Sequence, residues 1–206
     1  MANSDKKTPS PVHDLRSALA LLKTLPGEYV ETDTEVDPHA ELSGVYRYVG
    51  AGGTCQRPTR KNGPVMVFNK IKGFDDISVA IGLNGSRQRV SQFLQCEPAK
   101  LGHLLKDSVE NAISPTMVQG TAVCQEVVHL ASDADFDLRK LLPAPTNTDE
   151  DAGPYITMGL CYASDPQTHE SDITIHRLCV QSRDELSMWL TPGRHIDAFR
   201  MKAEAA

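Results

Sequence analysis

Asp172-Ile-Thr-Ile-His-Arg177 alternates polar and apolar side chains over six residues, the period of a half-buried β-strand. The segment carries an acid, a hydroxyl, an imidazole and a guanidinium, more polar chemistry than a purely structural strand needs. Asp172, Thr174 and His176 share one face, and Ile173, Ile175 and Arg177 the other. The structural alternative is a strand with its polar face in solvent and its isoleucines inward. Arg177 argues against it, because a guanidinium on the isoleucine face needs a carboxylate, a phosphate or a bulge. Downstream, Thr191-Pro-Gly-Arg194 forms a turn, His195 follows, and Ile196 to Ala205 reads as a helix. Asp172 with His195 makes two ligands toward a divalent-metal site, which needs a third from elsewhere. His195 could equally cap its helix and do nothing more.

Outward from this strand, Thr116 to Val118, Val123 to Leu130, Tyr155 to Tyr162, Asp172 to Gln181 and Leu186 to Leu190 all read as strands. Only a helical turn at Asp137 to Leu142 interrupts them, so an antiparallel sheet or barrel is expected. The polar loop Pro143 to Pro154 is long enough to be functional. Before residue 114 the texture differs. Asp14 to Thr24 is an amphipathic helix, Tyr29 to Thr32 a strand, and Asp37-Pro38 an N-cap with proline at the first helical position. Leu42, Val45, Tyr46 and Val49 supply the apolar face of that second helix. Val65 to Phe68 and Ser78 to Ile81 are buried strands about a Lys72-Gly73 turn, and helices follow at Val90–Leu94 and Leu101–Val109. The expected fold class is α+β: a lead-in over 1–12 read as disordered, a small α/β domain over 13–114, and a second domain over 115–206.

Composition narrows the function. The 206 residues are 40% hydrophobic and 23% charged, with a formal charge of −6 that gives no general attraction to nucleic acid or anionic membrane. No apolar run approaches the roughly 18 residues of a membrane span, and the polar, proline-containing start lacks a signal peptide's apolar core. A cytoplasmic protein is expected. The five cysteines form no Cys-x-x-Cys pair and read as buried or half-buried reduced thiols. Gly50-Ala-Gly-Gly53 follows a helix and reads as its C-cap and loop, not as a phosphate cradle. No Gly-x-Ser-x-Gly occurs and no Ser-His-Asp order stands out, which leaves a free-standing hydrolase poorly supported.

Several stretches together resemble the amino-terminal part of the UbiD-like decarboxylases, closest to their hydroxybenzoate branch. The likeness runs from Asp14-Leu-Arg16 through Ile71-Lys-Gly73, Phe136-Asp-Leu-Arg-Lys-Leu-Leu-Pro143 and Pro145-Thr-Asn-Thr148 to Arg194-His195. Its most specific pieces are Asp172-Ile-Thr-Ile-His-Arg-Leu178 and Arg183-Asp-Glu-Leu-Ser187. The resemblance implies non-oxidative decarboxylation of protocatechuate or gallate with prenylated FMN. It makes 115–206 an incomplete split β-barrel of the flavin reductase type. It also implies Mn2+ or another divalent cation, K+ as a further candidate ion, a flavin prenyltransferase as cofactor supplier, and a homo-oligomer.

Position by position, the resemblance makes Thr157 a cofactor-contacting threonine, and Asp172 and His195 metal ligands. Thr174 stands where serine is frequent and keeps a hydroxyl near the cofactor phosphate. Ile175, His176 and Arg177 line the flavin, Arg194 joins the cofactor-binding set, and Arg177 is the catalytic arginine. Because strict alternation would not present Asp172 and Arg177 to one ligand, a bulge or a ligand lying across the strand end is expected. Family members run to more than twice this length and carry the third metal ligand and both catalytic carboxylates in the remainder. The chain is therefore expected to be an amino-terminal portion, inactive and poorly soluble alone. The alternatives are a non-catalytic flavin- or partner-binding module, and one subunit of a split enzyme completed by a carboxy-terminal chain.

Overall fold

A computed structural model describes residues 12–50 and 63–206. The lead-in before residue 12, Cys55, the basic stretch Gln56 to Asn62 and most of the Gly50–Gly53 loop lie outside the described residues. The class is α+β, as expected. Two compact units form: the described part of Met1–Val36, Gly44–Ile71 and Asp75–Val128, and a second made of Asp37–Ser43, Lys72–Phe74 and His129–Ala206.

In the first unit, helix α1 (Leu15–Lys23) opens on a capping box: the Ser17 amide donates to Asp14 Oδ1 while the Ser17 hydroxyl accepts from the Asp14 amide. Its apolar stripe buries Ala18 and Leu22 against the sheet. Strand β1 (Tyr29–Thr32) runs parallel to β2 (Val65–Phe68), which pairs antiparallel with β3 (Val79–Ile81). All four residues of β2 are buried, as its unbroken apolar run predicts for a strand covered on both faces. Helix α3 (Arg87–Phe93), capped by Ser86, adds Phe93 to the core.

Helix α2 (Glu41–Val49) begins three residues later than the Asp37-Pro38 reading places it. The chain first makes a bridge between His39 and Thr146, and Ala40 turns at φ 62°, so helical geometry cannot start at Pro38. Asp37 still serves the helix entry, accepting from the His39 amide through Oδ1 and from the Leu42 amide through its carbonyl. Helix α4 (Leu101–Glu110) has the expected spacing but buries only Leu101; Leu105 and Val109 lie exposed.

Two expected strands are absent. Thr116 to Val118 is irregular, and Val123 to Leu130 holds only a short 3-10 turn, Val123–Gln125. Met117, Val118, Val127 and Val128 are exposed. Their β-branched composition favours a strand only when a neighbouring strand accepts their backbone, and among the described residues none lies beside them. Cys124 falls in this stretch and is exposed, against the reading of buried thiols; Cys96 and Cys161 are half-buried and Cys179 is buried.

The second unit is an antiparallel sheet, β4 (Tyr155–Ser164), β5 (Ser171–Val180) and β6 (Leu186–Met188), with a short helix α5 (Leu138–Leu141) and the helix α6 (His195–Ala205). β5 is central, but β6 pairs only with Leu178, Cys179 and Val180. Among the described residues, 172–177 therefore have a strand on one side only. No helix among the described residues is long and apolar enough to cross a membrane.

Candidate functional site

The open edge of β5 is where the polar groups collect. Asp172, Thr174, Ile175, His176 and Arg177 form one wall of a cavity of about 570 Å³. Arg194 and His195 face them from the start of α6, with Trp189, Thr191, Gly193 and Ile196 completing the lining. Seven of the eight positions expected from the sequence thus meet in one cavity. Thr157 does not line it; this residue is exposed on β4.

The burial pattern of β5 overturns the structural alternative. Ile173 and Ile175 are each 60% exposed, whereas Asp172, Thr174 and His176 are half-buried. The polar face is turned toward α6 and the cavity. A bulge is also present, on the neighbouring strand instead of β5 itself. Ile156 pairs with Leu178 and Gly159 with His176, so Thr157 and Met158 oppose Arg177 alone. The extra residue breaks the alternation of β4 at Thr157 and Met158, both exposed, while β5 alternates regularly through Arg177; the cavity takes in residues from both faces of β5.

His195 Nδ1 lies 3.0 Å from Asp172 Oδ2. The Gly193 turn (φ +79°) delivers the chain to this point in a backbone conformation that a side chain would disfavour. Its amide donates to Asp197 Oδ2, and Asp197 Oδ1 accepts from Arg200, which holds the buried Asp197 carboxyl below its usual range. The far half of α6 is tied to the same hairpin: Lys202 Nζ donates to the buried carboxylate of Asp165, in the β4–β5 turn. Asp165 also accepts from the amides of Gln167 and Thr168. α6 is therefore fixed to the hairpin at two points, and His195 is held against Asp172.

The Lys202 ammonium holds the Asp165 carboxyl at about 2, below its usual 3.8. A folded-state value below the unfolded one adds stability above about pH 4 that is lost as pH falls toward 2. Lys202→Met should therefore flatten the fall in melting temperature between pH 5 and pH 2.5, measured by circular dichroism. An unchanged slope would remove this pair from the acid response.

Thr174 Oγ1 is buried and has no hydrogen-bond partner among the described residues. A buried hydroxyl without a partner costs free energy unless water or a ligand supplies one. Asp172 and His195 offer one oxygen and one nitrogen donor 3.0 Å apart. The separation is that of a direct hydrogen bond, and it equals the roughly 3.0 Å between adjacent donors on an octahedral cation with bonds of about 2.1 Å. Among the described residues no group of three His, Cys, Asp or Glu side chains is gathered for a metal.

Sequence reasoning missed Trp189 and the Asp165–Lys202 tie. Trp189 is the chain's single tryptophan, a signal that was available. Asp165 and Lys202 lie 37 positions apart, and no spacing rule pairs them.

Residues 22–108 match the 3-octaprenyl-4-hydroxybenzoate carboxy-lyase N-terminal domain, and residues 116–206 match the Rift-related domain of the same enzyme family. The chain is 49% identical over 195 residues to a gallate decarboxylase of Lactiplantibacillus plantarum, covering 94% of this chain and 40% of that protein. It superposes on the apo structure of a 3,4-dihydroxybenzoic acid decarboxylase from Enterobacter cloacae with TM-score 0.88 and 56% identity, covering 95% and 40% of the two chains. It also resembles the UbiD-class enzyme HmfF from Pelotomaculum thermopropionicum in complex with FMN, with TM-score 0.81, 30% identity and coverage of 94% and 40%. An evolved dimeric form of HmfF in complex with prFMN gives TM-score 0.82 at 30% identity, covering 94% and 42%. The chain thus spans about 40% of the length of these relatives.

Proposed function

The chain belongs to the UbiD family of aromatic-acid carboxy-lyases, and on that premise we propose that it serves non-oxidative decarboxylation of a hydroxybenzoate, protocatechuate or gallate, with prenylated FMN and a divalent cation such as Mn2+. The observation that carries this reading is the buried, unpartnered Thr174 hydroxyl beside the Asp172–His195 donor pair. An anionic phosphate is poorly served by a chain of formal charge −6 unless a cation accompanies it, and these groups suit both.

Each residue then has a task. Asp172 and His195 hold the cation. Thr174 donates its hydroxyl to a phosphate oxygen and so satisfies its own buried oxygen. Ile175 and His176 border the flavin, and Arg194 adds positive charge at the rim. Arg177 binds the substrate carboxylate in bidentate fashion, fixing its orientation and compensating its charge. Thr157, in the bulge opposite Arg177, contacts the cofactor from outside this cavity. The cofactor supplies the electron sink that carbon dioxide loss from an aromatic ring requires. Ring protonation falls to an acid outside this cavity, since Asp172 is committed to the cation.

This proposal places residues 115–206 in a split β-barrel, with the 13–114 domain beside it in sequence. It takes the cofactor from a flavin prenyltransferase in the cytoplasm. It also allows for K+, for further copies of the chain, and for a carboxy-terminal partner chain.

The test is co-expression with a flavin prenyltransferase in Mn2+-containing medium, then assay with protocatechuate and gallate. The expected result is a flavin-bearing 206-residue chain that releases no carbon dioxide alone. Release of carbon dioxide would overturn the placement of the acid outside this chain's cavity. In the flavin-loaded chain, Arg177→Leu should weaken protocatechuate binding by more than about tenfold, because a charge-assisted pair is lost. Titration of the flavin spectrum measures this, and an unchanged affinity would remove Arg177 from carboxylate recognition.

A further inference from the structure

Trp189 is 73% exposed although it is the chain's largest apolar side chain and the single tryptophan. Indole rings are usually well covered, because they bring more apolar area than almost any other side chain. This one stands on the wall of the cavity that Thr174, Arg177 and His195 also line.

Its place along the cavity follows from the ladder. The last pair between β5 and β6 is Leu178 with Met188. Trp189 follows Met188 just past the end of β6, and Arg177 precedes Leu178 on β5, so the two lie toward the same end of the cavity. Asp172, with its partner His195, lies five residues from Arg177 at the other end of the β5 stretch. The cavity therefore has two chemically distinct ends. One offers carboxylate, imidazole and hydroxyl groups suited to a cation and a phosphate. The other offers a guanidinium and an uncovered indole, suited to a flat ring system.

We propose that Trp189 is the aromatic platform on which the planar ring of the flavin is positioned, while Thr174, Asp172 and His195 hold its phosphate end. This rests on the flavin reading above and adds a positioning residue to it. Stacking on the indole would cover the exposed ring and set the flavin plane toward the Arg177 end of the cavity.

The probe is FMN with Mn2+, titrated into the wild-type chain, Trp189→Phe and Trp189→Ala, with affinity read by calorimetry. Trp189→Phe should stay within about threefold of wild type, and Trp189→Ala should bind about tenfold more weakly, as removal of a stacking aromatic typically does. A second readout needs no variant. Acrylamide quenching of wild-type tryptophan fluorescence reports Trp189 alone, and it should fall severalfold at saturating FMN. FMN binding with undiminished acrylamide access and an unaffected Trp189→Ala variant would overturn the platform and leave the flavin reading standing. Failure of the wild type to bind FMN at all would overturn both.

Discussion

Replacing Asp172 with alanine should weaken Mn2+ binding by more than about 100-fold, since loss of a ligand exceeds the 10- to 100-fold typical for a supporting contact. Asp172 supplies the oxygen donor facing His195 Nδ1 at 3.0 Å. Without it, His195 is a solitary nitrogen donor on the surface of α6. Flavin retention should fall with the metal, because the phosphate loses the cation that offsets its charge. Thr174→Val tests the other contact separately. It removes only the buried hydroxyl, so Mn2+ affinity should stay near wild type while flavin affinity drops. Electron paramagnetic resonance of free Mn2+ measures the first effect and flavin absorbance the second. Equal Mn2+ affinity in wild type and Asp172→Ala would remove the pair as a metal site.

Arg89→Met should destabilise the first unit by about 3–5 kcal/mol, the scale for breaking a buried ion pair from one side. The Arg89 side chain is 1% exposed, and its Nε donates to Glu28 Oε2 at 2.9 Å. Nη1 donates to the carbonyl of Gly82 at 2.7 Å, and Nη2 to that of Gly63. One guanidinium thus serves a carboxylate and two backbone carbonyls, and methionine would remove all of these donors, leaving the Gly82 carbonyl only the Gly85 amide. Adding Glu28→Gln should recover part of the loss, because the uncompensated charge goes with it. Chemical denaturation followed by far-ultraviolet circular dichroism gives the values. A loss under 1 kcal/mol would mean that water replaces the guanidinium without penalty.

Local signals were legible where local chemistry decides. Asp14 caps its helix where the sequence placed the start, and β1 and β2 occupy the residues expected of them. The expectation of a bulge or a ligand across the strand end came from Asp172 and Arg177 lying on opposite faces; the bulge found is on β4, at Thr157 and Met158, and leaves them there. Other features depend on contacts that periodicity cannot express. The segment 116–130 has strand composition but no neighbouring strand, and strand formation needs one. The exposed isoleucines of β5 follow from the cover that α6 gives the opposite face, not from alternation itself. The α2 start moved because His39 bridges Thr146, more than 100 residues away.

In the proposed function, the edge of β5 holds a flavin phosphate through a cation. The most direct measurement is flavin retained by the purified wild-type chain, loaded in the presence of Mn2+, before and after removal of the metal by a chelator. The expected result is a yellow protein that loses its flavin when Mn2+ is withdrawn and regains it when Mn2+ returns. Flavin held equally well without metal would contradict it, as would a protein that never takes up flavin.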